Sequence, residues 1–227
     1  MTLRVAAAAT VLSTAVASCS VSTAGHGVGA ETLGHAPKPV AAAALSDLLL
    51  GISEAGSVMG AKLSVVSSGH ELNENKPLDD GCLVWSEAQR RNYDGSDWTA
   101  VREVEMRDRP DNSDNIVYEA VVAFTDAAAA HEFYASQKVE WARCDDRRVD
   151  LHDAGDPSSH YWTLSRATED QGVLTLTRSE EEDPGWSCQH AMTVKNNVVV
   201  DVSACAMNVA DRGAELVQRI AAKVNDQ

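Results

Sequence analysis

The chain has 227 residues, 34 of them Asp or Glu against 19 Lys or Arg, for a formal net charge of -15 at pH 7. Such acidity argues against nucleic acid as a partner and repels anionic lipid headgroups, so any membrane association needs another cause. Five cysteines raise the question of redox compartment before any question of activity.

The N-terminus answers that question. Met1 to Arg4 forms a short n-region with one positive charge, and VAAAATVLSTAVA follows as an apolar stretch too short to span a bilayer permanently. Residues 1–18 read as an export signal. Val16-Ala17-Ser18-Cys19 resembles the bacterial lipobox, in which the cysteine is lipidated and becomes the new N-terminus. The rival is Ala15-Val16-Ala17, an A-x-A site whose cleavage would release a soluble protein and leave an odd cysteine in a secreted chain. Lipidation at Cys19 leaves four, and it makes the chain one unit more acidic, because Arg4 is the only charged side chain lost. Lipid chains would then hold the protein at the extracytoplasmic face of the cell membrane. Residues 19–40 carry this anchor and a flexible tether rich in Ser, Gly, Ala and Pro. Residues 41–227 are long enough for one domain with its own core.

Within the domain, Leu45, Leu48, Leu49, Ile52 and Met59 recur at helical spacing over Ala41–Met59, and Gly60 stands where a C-cap belongs. Strand-like runs follow at Lys62–Val66, Thr99–Met106 and Ile116–Phe124. Thr125-Asp126 opens a second helix with Ala129, Ala130, Phe133 and Tyr134 inside and Trp141 near its end, just before Cys144. Further strands are expected at Trp162–Arg166, Val173–Arg178 and the two arms of a hairpin, with polar turns such as RDRPDNSDN and TEDQG between consecutive strands. A third helix runs from about Ala210 to Val224 with Leu216, Val217, Ile220 and Val224 on one face. Consecutive strand pairs without βαβ alternation point to an α+β fold, a largely antiparallel sheet packed with about three helices.

The last hairpin fixes the disulfides. Alternating β-branched arms, Cys188 to Val194 and Val198 to Cys205, meet through Lys195-Asn196-Asn197, and Asn tolerates the positive φ of a type I′ turn. Centring the turn on Asn196-Asn197 pairs Lys195 with Val198, Met192 with Asp201, His190 with Ser203 and Cys188 with Cys205. The two cysteines then face each other at a non-hydrogen-bonded position, where Cα atoms approach to about 4.5 Å, within disulfide range. That register selects one of three possible connectivities and leaves Cys82 to pair with Cys144. A metal clip is the other use of such residues, but the chain has no C-x-x-C, no H-E-x-x-H and no zinc-type His/Cys spacing. Neither a metal nor a cofactor is therefore expected. The acidic runs Asp79-Asp80, Asp108 to Asp114 and Glu180 to Asp183 lack EF-hand spacing and read as solvated turns.

Several features together resemble the extracellular sensor domain of the PknH-type mycobacterial Ser/Thr kinases. They are the lipobox and tether, the first helix ending Met-Gly, Gly-Cys at 81–82, W-x-x-C at Trp141–Cys144, W-x-C at 186–188 and VVVDVSAC at 198–205. The resemblance covers about Ala41 to Val224. It implies two disulfides, an α/β domain with a cleft, and binding of an extracellular ligand. The sequence has no kinase Gly-rich loop, H-R-D or D-F-G motif, no G-x-S-x-G elbow and no P-loop, so it is not expected to be an enzyme.

Strand alternation adds one candidate site. Val198, Val200, Val202 and Ala204 share a face suited to packing under helices, while His190, Asp201 and Ser203 share the opposite face with the Cys188–Cys205 pair. His190 and Asp201 are diagonal neighbours, so an imidazole, a carboxylate and a hydroxyl could fix a polar ligand at the base of a pocket. The plainer reading is an ordinary half-solvated sheet face. Two functions from different classes follow: a lipid-anchored module that binds a small or lipidic extracellular ligand, or an envelope protein whose surface docks another protein.

Overall fold

The computed structural model describes residues 37–74, 82, 87–151 and 158–225. The export signal, Cys19 and most of the tether lie outside the described residues. Among the described residues nine strands form one sheet: β1 (Ser64–Gly69), β2 (Trp98–Arg107), β3 (Asn115–Phe124), β4 (Arg148–Asp150), β5 (Tyr161–Leu164), β6 (Thr168–Asp170), β7 (Val173–Glu180), β8 (Trp186–Lys195) and β9 (Val198–Met207). Their order is β1-β2-β3-β9-β8-β7-β5-β4, with β6 also paired to β7. Every pairing between these strands is antiparallel. The expected class therefore holds, and the β3–β9 pairing joins an N-terminal meander to a C-terminal one.

The hairpin has the register read from its sequence. Lys195 opposes Val198, His190 opposes Ser203 and Cys188 opposes Cys205. The Cys188–Cys205 and Cys82–Cys144 disulfides are both formed, with Cα atoms 4.0 and 5.7 Å apart. Of the two turn residues Asn196 takes the positive φ, +50°, so the turn departs from type I′, which needs both. Asn197 instead turns inward. Its amide donates to the carbonyls of Val40 and Phe124 and its oxygen accepts from the Val40 N–H, docking the start of the domain against the hairpin.

Two short strands were not expected. The TEDQG segment is read as a turn from its polarity, yet Thr168–Asp170 is β6. Gln171 and Gly172 take φ of +49° and +77°, so the turn closes in two residues and Asp170 already pairs with Val173. β4 has only three residues and lies at the end of the sheet, where polar side chains carry no burial signal.

Helices cover both faces. The stretch expected as one helix over 41–59 is two, α1 (Leu45–Leu48, entered through a 3₁₀ turn at Ala42–Ala44) and α2 (Ile52–Met59). Leu49 adopts an extended ψ of 149°, and Gly51 caps α2. The freed Leu50 N–H donates to the Glu119 carboxylate on β3, so a buried acceptor stabilises the break. Gly60 does close α2 in the left-handed conformation, φ +69°. One short helix, α3 (Arg90–Tyr93), precedes β2. α4 (Ala127–Ala142) starts on Asp126, whose side chain accepts from the Ala129 N–H, and α5 (Arg212–Asn225) closes the fold. Among the described residues no single helix is long and apolar enough to cross a membrane.

On one face Val198, Val200, Val202 and Ala204 pack with Leu216, Val217, Ile220 and Val224 of α5 and with Leu45, Leu48 and Met59 of α1 and α2. On the other, Val199, Met192, Val194 and Leu176 pack with Phe133, Tyr134 and Trp141 of α4 and with Tyr93. The central strands β3, β9 and β8 thus form a middle layer buried on both sides.

Candidate functional site

Strand alternation puts His190 of β8 and Asp201 and Ser203 of β9 on the α4 side of the sheet. The structure brings the first two together: His190 Nε2 lies 2.6 Å from Asp201 Oδ1. The Tyr93 hydroxyl donates to Asp201 Oδ2 at 2.7 Å, and the Ala88 N–H donates to the same oxygen at 3.0 Å. A carboxylate already accepting from two donors takes a third, so the imidazole N–H donates as well. Charge-assisted bonds of this kind compensate a carboxylate removed from water. Burial, and then the negative charge of Asp201, raise the Tyr93 phenol well above its ordinary pKa, which keeps it a donor.

The trio forms no half-solvated face. His190 is 1% exposed, Asp201 2% and Ser203 0%. Trp141 of α4 covers the imidazole with ring centroids 4.2 Å apart, and Tyr93 stacks on Phe133 at 4.3 Å. Ser203 stays apart, its hydroxyl buried without a hydrogen-bond partner among the described residues. Next along the same face, Arg178 of β7 donates to Cys188 Sγ at 3.4 Å and lies 5.0 Å from the Trp162 ring. The Asp201 cluster therefore fastens the connection carrying Ala88 and Tyr93 to the sheet, beside the point where the Cys82–Cys144 bridge ties that connection to the end of α4. Tyr93 and Ala88 were not found in the sequence. They lie in a polar stretch without periodicity, and the available signal was the need of a buried Asp201 for donors.

Open concavities lie elsewhere. A groove of about 680 Å³ runs on the opposite face between α5 and the β6–β7 hairpin, with Val58, Val173 and Ala214 on its walls and Thr168, Asp211 and Arg212 among its polar groups. A second, of about 320 Å³, lies between the loop at 94–97 and the outer side of α4. A small one of about 50 Å³ near β1–β3 is lined by Glu87, Glu103, Glu105 and Tyr118. Desolvation, then the charges of Glu105 and Glu71, raise the Glu103 pKa there.

The fold is thus an antiparallel sheet covered by helices on both faces and stapled by two disulfides. The PknH-like extracellular domain family matches residues 40–223, and the chain belongs to it. It is 31% identical over 197 residues to the serine/threonine-protein kinase PknH of Mycobacterium tuberculosis and to that of Mycobacterium bovis, in each case over 84% of this chain. The chain spans about a third of the length of these curated relatives, 31% and 32%. The crystal structure of the extracellular domain of PknH from Mycobacterium tuberculosis superposes with a TM-score of 0.79 at 29% identity, covering 84% of this chain and 99% of that domain. The chain is accordingly an extracytoplasmic, sensor-like domain, related to these kinases through their extracellular part.

Proposed function

We propose that the protein is a lipid-anchored, non-catalytic binding protein that captures a small or lipidic ligand outside the cell membrane. The groove between α5 and the β6–β7 hairpin carries this reading. Its volume of about 680 Å³ falls within the roughly 300–1,000 Å³ of small-molecule sites, and a small apolar patch of Val58, Val173 and Ala214 lies among seven polar side chains that can orient a ligand. The lipobox ending in Cys19 supplies the anchor, and the Ser/Gly/Pro tether lets the domain sample the space above the membrane. Contact of a ligand with His190, Asp201 and Ser203 would require the 87–93 connection to lift from the sheet.

Native mass spectrometry of the full-length protein recovered from its own envelope tests the ligand. A co-purifying small molecule or lipid, lost in Ala214→Trp at unchanged melting temperature, is the expected result. An envelope protein recovered in its place would favour the docking reading, and an unliganded mass would overturn binding. Changing Cys19→Ala should move the protein to the soluble fraction with the domain still folded. Unchanged partitioning and no acyl mass would remove the anchor.

A further inference from the structure

His160 precedes β5, and Glu180 and Glu182 stand at the end of β7 and in the turn after it. His160 is at least twenty positions from either glutamate in sequence, so no local spacing links it to them. Strand pairing does. Trp162 opposes Glu180, and the Glu181 N–H donates to the Tyr161 carbonyl, which carries the register one step further and sets His160 opposite Glu182. By strand alternation His160, Glu180 and Glu182 share one face of the sheet. One ligand atom from each lies within 4.8 Å of the others.

We propose that His160, Glu180 and Glu182 form a binding site for a first-row divalent cation of the zinc type. The donor set decides the class: an imidazole with two carboxylates suits zinc, whereas calcium and magnesium take oxygen ligands. His160 Nδ1 is 3.3 Å from Glu182 Oε2, close to the ~3.4 Å that separates two ligands of a tetrahedral zinc with bonds of about 2.1 Å. Glu180 lies within 4.8 Å of both, and binding would draw its carboxylate in. The other ring nitrogen, Nε2, lies 3.4 Å from Ser158 Oγ, an outer partner that fixes the ring orientation. Three protein ligands leave a fourth position open to water or to a donor from another molecule. The ion would also clip β5 to β7, which pair at only three positions.

The site is separate from the groove, so each is tested alone. Titration of the full-length protein with Zn²⁺ alone, followed by calorimetry, is expected to give one saturable site and a rise in melting temperature that EDTA reverses. His160→Ala, at a partly exposed position, should leave the metal-free melting temperature unchanged and weaken Zn²⁺ binding by at least about tenfold. Glu180→Gln combined with Glu182→Gln should do the same. In the wild-type protein, Zn²⁺-induced amide shifts should centre on His160 and Glu180–Glu182, a readout that needs no variant. Absence of saturable binding, full affinity in His160→Ala, or shifts centred elsewhere would each overturn the site.

Discussion

The two faces of the sheet are equally buried and are held by different physics. Against α5 the contact is aliphatic: Leu216, Val217 and Ile220 are fully buried against a row of valines, and any of many small dispersion contacts can compensate for another. Against α4 the contact depends on a few directional links between distant residues. Asp201 reaches Tyr93 across 108 positions and Ala88 across 113, and the Cys82–Cys144 bridge spans 62. The comparison teaches that a regular apolar stripe tolerates change of detail, while a face assembled from an irregular segment relies on single bonds.

The sharpest way to break this contrast is a conservative substitution on each face. Asp201→Ala should cost about 3–5 kcal/mol, because it strands the buried partners of the carboxylate. Asp201→Asn should cost nearly as much, since an amide offers one acceptor oxygen to three donors. On the aliphatic face Leu216→Ala should lose about 2–5 kcal/mol, yet Leu216→Met less than about 1.5. Urea midpoints of the four variants decide the matter. If Asp201→Asn proved as mild as Leu216→Met, the directional account of the α4 face would be wrong.

The disulfides give the next largest effect. Replacing Cys82 and Cys144 together should cost about 4 kcal/mol and replacing Cys188 and Cys205 about 3, because the bridges span 62 and 17 positions of chain. Denaturation of the two double variants tests the ranking. Non-reducing peptide mapping of native protein should recover the same two pairs as separate linked fragments.

A pH-dependent effect comes from Glu119, an acid buried on the aliphatic face. Burial raises Glu119 to a pKa of about 8, against which the bond from the Leu50 N–H is a lesser, lowering influence. The folded state therefore holds a proton that the unfolded chain releases from about pH 4.5 upward. Stability should fall as pH rises from there to about 8, by up to about 1.4 kcal/mol per unit, and level off above. In Glu119→Gln that component should vanish, so the difference between wild-type and variant urea midpoints across this pH range is the measurement. A constant difference would show that Glu119 is ionised throughout.

The sequence by itself determined whatever rests on local repetition: the two-residue period of the hairpin arms, their register and hence the cysteine pairing, and the apolar stripes of α4 and α5. Its period also placed His190, Asp201 and Ser203 on one face. Only the tertiary structure decided that this face is closed, that Tyr93 and Ala88 supply its donors, that the first helix breaks at Leu49–Gly51, and that His160 meets Glu180 and Glu182. The physical reason is the same in each case. A period is written in neighbouring residues and survives without the rest of the fold, whereas a buried carboxylate, a broken helix stabilised by Glu119 and a cross-strand ligand set take their partners from chain segments brought together only by packing.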